Sequence, residues 1–223
     1  MRPRIKLVRR ILRVFTGSEF AGIFRSAARY CDFFVVPWLL DLRMLAIYAV
    51  ARGSSLVIPF ALMLLGRQAQ RQLVLLVDAV PHSHFQAVAA RTNLGYMMIC
   101  AAMALMVFAV VPQLVNLLLA SDKLFRDILL WLVIGQAAPV FFGATTLLMR
   151  VVDRGTFDDL LHGVVAVFYI ACVGAVGESD AVSLAQTLAA AQLAQAAICA
   201  ALLTQCGIWP GLTALLNKEI KLF

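Results

Sequence analysis

Charge is what this chain has least of. Only 14% of its 223 residues are Asp, Glu, Lys or Arg, whereas a soluble domain carries about a quarter, so a water-facing globule could not cover itself with polar surface. Acidic residues are scarcer than basic ones, 12 against 19, and they sit mostly in connections. No GxGxxG, P-loop, HExxH, GxSxG or paired-carboxylate pattern occurs, which disfavours an enzyme. The five cysteines, Cys31, Cys100, Cys172, Cys199 and Cys206, lack metal-ligand spacing and read as small buried hydrophobes. His82 and His84 follow Pro81 with no carboxylate or cysteine cluster to complete a metal site, and they read as solvated loop. His162 lies beside Asp158 and Asp159 where a helix starts, and these acids suit a helix N-terminus; no catalysis is assigned to it. No metal and no cofactor are expected. The basic run Arg2 to Arg13 leads into Gly17, Ser18 and Glu19 without an apolar core of the kind a cleavable signal needs, so the first apolar segment should stay in place.

What is present in quantity is apolar. Hydrophobic residues make up 63% of the chain and the mean hydropathy is +0.91. Charges are collected into clusters separated by long uncharged runs at 92–121, 128–149, 160–177 and 181–217. Each run approaches or exceeds the roughly 20 residues needed to cross the hydrocarbon core. Two further spans are expected, over 44–66, interrupted by Arg52, and over 17–40, whose first half is amphipathic. The fold class is therefore all-α: a polytopic membrane protein with a single bundle of about six transmembrane helices. The spans are placed at about 17–40, 44–66, 93–119, 127–149, 158–177 and 181–206, with a basic lead-in over 1–16 and a tail over 207–223.

The net charge of +7 does not indicate nucleic acid, because the basic residues form no face with a recognition helix or interleaved aromatics. They work instead as topology signals and as contacts to lipid headgroups. Thirteen of the 19 Lys and Arg fall on one side, three (Arg43, Lys123, Arg126) on the other, and Arg25, Arg29 and Arg52 within helices. That asymmetry places both termini in the cytoplasm. The connection over 67–92 is expected to extend the preceding helix or to lie at the interface, followed by a separate short helical piece over 84–90. The Ala-rich, Gln-dotted last span should pack on several sides and bond through its amides; Leu-rich, lipid-facing character is expected to be stronger in the span from Ile128. Pro37, Pro59, Pro112 and Pro139 lie where they can bend a helix and free a carbonyl.

Arg25, Arg29 and Asp32 recur at i, i+4 and i+7, on one stripe of the first span. A charged stripe facing lipid would cost several kcal/mol per group, so it must face protein or a water-filled cavity. Two readings fit. In one, Arg25 and Arg29 present cationic forks to an anionic substrate group such as a pyrophosphate, with Asp32 holding Arg29. In the other, Arg29 and Asp32 form a structural pair while Arg25 snorkels to the interface. Arg52 stands mid-helix with Gly53, Ser54 and Ser55 beside it, without an evident counter-ion; a cavity role and a structural bond to a helix carbonyl fit it equally.

The basic lead-in, the helix with Arg-x-x-Asp, and Leu45-Ala46-Ile47-Tyr48-Ala49-Val50-Ala51-Arg52-Gly53 together resemble polysaccharide exporters of the multidrug, oligosaccharidyl-lipid and polysaccharide flippase superfamily. The family stretch reads like Gly-x-Tyr-x-x-Ala-x-Arg; Tyr48, Ala51 and Arg52 are kept, while Ala46 or Ile47 stands where glycine is usual. The stretches Leu132-Val133-Ile134-Gly135-Gln136, Gly143-Ala144-Thr145-Thr146-Leu147-Leu148-Met149 and Cys206-Gly207-Ile208-Trp209-Pro210-Gly211 are similar to the family's C-terminal half. The resemblance implies a half-transporter in the bacterial inner membrane that moves a lipid-linked saccharide by alternating access. A second six-helix bundle, from another copy or a separate chain, would complete the cavity. An even number of spans with both ends inside allows such tandem pairing without inversion. Arg25, Arg29, Asp32 and Arg52 are where its cationic cavity would lie. The different-class alternative is a non-transporting scaffold of a glycan-assembly complex or a transporter fragment. Charge reversal at Arg25 or Arg29 is expected to abolish export while leaving membrane insertion intact, as read from glycan export beside the amount of protein in the membrane fraction; unaltered export would remove those arginines from the cavity.

Overall fold

A computed structural model describes residues 30–77, 79–119, 122–152, 154–176, 180–208 and 210. Among them the secondary structure is entirely helical. The short α1 (Cys31–Val35) runs into a single 3-10 turn, Val36–Trp38, and is followed by α2 (Leu42–Ser55), α3 (Val57–Val77), α4 (His82–Leu119), α5 (Asp122–Phe141), α6 (Thr145–Val151), α7 (Gly155–Val176) and α8 (Ala181–Gln205). Five segments are long and apolar enough to cross a membrane: Leu42–Val77, His82–Gln113, Lys123–Val151, Gly155–Ala175 and Ala181–Gln205. The chain thus has the make-up of a multi-pass membrane protein. Residues 17–29 of the span expected over 17–40, Arg25 and Arg29 among them, lie outside the described residues, as do the lead-in over 1–16 and all of the tail over 207–223 except 207, 208 and 210.

Local chemistry sets the boundaries. Asp41 caps α2 by accepting from the Met44 backbone N–H at 2.9 Å, and Asp180 caps α8 from Ser183 at 2.6 Å. α2 and α3 form one span with a joint at Leu56, three residues before Pro59, whose ring nitrogen cannot bond the preceding turn. α3 continues to Val77, so the 67–92 connection begins as an extension of the preceding helix. The separate piece expected over 84–90 does not exist: α4 starts at His82 and runs 38 residues without a break, about 57 Å at 1.5 Å per residue. No glycine or proline lies between Phe85 and Asn93 to interrupt it, and its polar first turns project beyond the roughly 30 Å hydrocarbon layer.

The span expected over 127–149 is broken. α5 ends at Phe141, two residues past Pro139, and α6 starts at Thr145. Between them Gly143 and Ala144 adopt positive φ, 104° and 51°; the cost of a left-handed alanine is borne directly before Thr145 and Thr146, which line the cavity described below. A second expectation is overturned on the same element. The helix from Ile128 is not the lipid-facing one: 67% of its window is buried, against 39% for α8. α5 sits at the bundle centre, touching α2, α3, α4, α6 and α8, so its Phe125, Ile128, Leu129 and Leu132 form core. Large apolar side chains serve a core and a lipid face equally, and composition alone does not separate them.

α8 packs on α5, α6, α7 and α2, as its small residues and amides suggested. One close approach is at Gly135, where an added Cβ would run into the Gln192 side-chain oxygen and stand 3.0 Å from the Ala189 Cα. Replacing Gly135 by leucine is therefore expected to wedge α5 from α8 and to destabilise the bundle by about 1–3 kcal/mol, read as a lowered unfolding midpoint in detergent; Gly174→Leu, where nothing stands within 4 Å of the added Cβ, is the matched control.

Candidate functional site: two buried polar clusters joined by a cavity

The first cluster gathers three residues from α1 and α2. Asp32 and Arg52 are both fully buried, and the Arg52 Nε donates to Asp32 Oδ2 at 2.6 Å, with Nη2 to Oδ1 at 3.4 Å. The Tyr48 hydroxyl donates to the same Oδ2 at 3.1 Å. Tyr48 and Arg52 are one turn apart on α2, which places both donors on the face turned to α1. Arg52 also occupies the last turn of α2, where the helix dipole favours a cation. The counter-ion that the sequence did not reveal is thus Asp32, and the carboxylate expected to hold Arg29 holds Arg52. Ser54 and Ser55 beside it donate to the Val50 and Arg52 carbonyls of their own helix at 2.7 and 2.8 Å.

The second cluster lies where α5, α7 and α8 meet, around a cavity of about 100 Å³. Its lining on α7 is Asp158, His162, Val165, Ala166 and Tyr169, and on α8 Leu188, Gln192, Gln195, Ala196 and Cys199. Both sets repeat at i, i+4, i+7 and i+11, one continuous stripe of each helix. Gly135, Gln136 and Pro139 of α5, Thr145 and Thr146 of α6, and Cys31 beside Asp32 close it. The outward face of α7 carries exposed Val164, Val167 and Phe168, so this helix is polar inside and apolar outside, as a lipid solvent requires.

Within the cluster, His162 Nδ1 stands 2.8 Å from the Asp158 carbonyl, 2.6 Å from the Gln195 side-chain amide and 3.6 Å from Asp158 Oδ1. The Cys199 thiol donates to the same Asp158 Oδ1 at 3.6 Å. Asp158 is fully buried. Gln136 and Gln192 bond each other across α5 and α8 at 3.3 Å. The Tyr169 hydroxyl is buried and lines the cavity beside the Tyr48–Asp32 cluster, with the Tyr48 hydroxyl as its neighbour. Cys31 and Tyr169 therefore join the two clusters.

The solvated-loop reading of His84 and His82 is corrected: both are exposed, but both stand in the first turn of α4 and not in a loop, and the latter is also tied down. The latter opens α4, and its Nε2 lies 3.0 Å from the Gly207 carbonyl, which also accepts from Gln86 at 2.9 Å. These bonds tie the start of α4 to the turn that ends α8, where Gly207 has φ 79°. Two other sequence readings change. Cys199 is a hydrogen-bond donor to a carboxylate as well as a small hydrophobe, and Cys206 is exposed. Among the described residues no group of three or more His, Cys, Asp or Glu could hold a metal ion.

No protein-family model, curated protein or solved structure matches this chain.

Removing one member of a buried ion pair strands the other in low dielectric. Asp32→Asn and Arg52→Met are each expected to cost about 3–5 kcal/mol, and the double variant less than the two added. Unfolding midpoints of the four proteins of that cycle in one detergent check it; strict additivity would mean that the pair is not coupled.

Proposed function

We propose that this chain is one bundle of a flippase-type membrane transporter, which moves a lipid-linked oligosaccharide or polysaccharide precursor across the bacterial inner membrane by alternating access with a second six-helix bundle. The observation that carries the transporter reading is the broken span: non-helical backbone at 142–144 lies inside a membrane segment, over a cavity lined by amides, an imidazole and a carboxylate. Irregular backbone at membrane depth is tolerated where protein or a water-filled cavity covers it, and discontinuous helices mark the moving parts of transporters. The resemblance noted above contributes the substrate class. In this reading Arg25 and Arg29 supply the cations for the pyrophosphate, both termini face the cytoplasm, and Arg52 fixes Asp32 and so the first span against α2.

The cavity volume bears on the architecture. At about 100 Å³ it falls below the roughly 300–1,000 Å³ of ordinary small-molecule sites, so the saccharide path must run between two bundles rather than within one. The native mass of the detergent-solubilised complex tests this. A dimer, or a heteromer with another six-helix chain, is expected, and such a complex should translocate a lipid-linked saccharide after reconstitution. A stable lone monomer would instead support the scaffold or fragment reading.

A further inference from the structure

We propose that the outward stripe of α3 is a binding site for one anionic phospholipid, whose phosphate is held by Arg67 and Arg71 and one of whose acyl chains lies in the hollow beside the α2–α3 joint. The site needs only that α2 and α3 cross the membrane and does not rest on the transporter reading.

The order of side chains along α3 makes the case. Phe60, Met63, Arg67, Gln70 and Val74 recur at i, i+3, i+7, i+10 and i+14, with Leu64, Arg71 and Leu75 beside them, so all share one stripe. The opposite face carries buried Ile58 and Leu73, and Gly66 beside the Tyr96 hydroxyl of α4. On the outward stripe Phe60 and Leu64 are 59% and 54% exposed, and Arg67 and Arg71 are exposed as well. Arg67, Gln70, Arg71, Val74 and Leu75 line one recess. Gly53, Leu56 and Val57 line a second with Phe60 and Met63, and it begins one turn before Arg67. Gly53 leaves this hollow open, because an added Cβ there would meet nothing within 4 Å.

Charge and depth select the occupant. Neither arginine has an ion-pair partner among the described residues, and between Asp41 and Asp122 the sequence holds a single acid, Asp78, against five arginines. Arg67 and Arg71 stand 24 and 28 residues past Arg43, about 36 and 42 Å of helix at 1.5 Å per residue. The hydrocarbon core is about 30 Å thick, and about 40–45 Å with its headgroups, so both guanidinium groups reach the phosphate layer. Val57 lies about 15 Å of helix before Arg67, the depth of one leaflet's share of that core. Guanidinium forks bind phosphate oxygens in pairs, and two forks one turn apart make a clamp with the Gln70 amide beside it. A zwitterionic headgroup satisfies that clamp less well, because its own ammonium opposes the arginines. A free water-soluble anion would leave the apolar hollow uncovered, and an apolar helix of a second copy would leave both cations unpaired in its interface. An anion that carries its own hydrocarbon chain meets both demands.

Native mass spectrometry of the detergent-solubilised full chain, offered equal amounts of phosphatidylglycerol and phosphatidylcholine with the same acyl chains, tests the site. One phosphatidylglycerol is expected to be retained, several-fold in preference to phosphatidylcholine. Arg67→Gln with Arg71→Gln should lower that retention by about tenfold or more. Arg43→Gln with Lys123→Gln, which removes as much charge at the other end of the spans, should leave it unchanged. Gly53→Leu should fill the hollow and weaken retention of long-chain phosphatidylglycerol several-fold while sparing a short-chain form. No preference for phosphatidylglycerol, or an equal loss in both charge variants, overturns the site, and the wild-type preference decides the first point even if a variant does not fold. Undiminished long-chain retention in Gly53→Leu overturns the acyl groove. A dimer that Arg67→Gln with Arg71→Gln dissociates, with no lipid on either form, assigns the stripe to a second copy and overturns the proposal.

Discussion

Lipid offers no hydrogen bonds, and that constraint governs everything polar in this bundle. A fully buried carboxylate and guanidinium in such a solvent exist only by finding one another. The Asp32–Arg52 pair satisfies this demand between α1 and α2, with Tyr48 donating to the same oxygen. The Gln136–Gln192 bond does the same between α5 and α8. Each bond joins different helices and costs little entropy beyond that of the helices it locks. The polar groups therefore specify which helix faces which, while the apolar majority supplies area.

The same constraint explains the interrupted span. The broken backbone at 142–144 would be untenable against hydrocarbon, yet α5 is the most enclosed element of the bundle. Its burial allows Gly143 and Ala144 to leave the helix, and the interruption in turn leaves room for the cavity that α7 and α8 line. Central position, broken backbone and cavity are three aspects of one arrangement.

Much of the fold is legible in the sequence because hydrocarbon thickness dictates it. The spans expected to end near 149, 177 and 206 correspond to segments that are long and apolar enough to cross. The orientation of each helix is less legible. In the span from Ile128, leucine and isoleucine read equally as core or lipid face, and only the contacts of α5 decide. The join of the 84–90 piece to the following helix was hidden by Arg91, Thr92 and Asn93, which read as a connection but ride on one continuous helix.

The candidate site shows a similar division. Asp32 and Arg52 stand out one at a time, as charges where charges are costly, but no spacing rule links residues 20 positions apart on different helices. The Asp158–His162 cluster had a readable signal that isolated inspection missed. Positions 158, 162, 165 and 169 on α7 and 188, 192, 195 and 199 on α8 follow the same i, i+4, i+7, i+11 stripe, and both carry polar groups within otherwise apolar runs. Two polar stripes of equal pitch in neighbouring antiparallel helices can satisfy each other only by facing. Facing in this way brings Asp158 and His162 of α7 against Cys199 and Gln195 of α8, a polar seam beyond the amide bonds that the Gln-dotted sequence led one to expect.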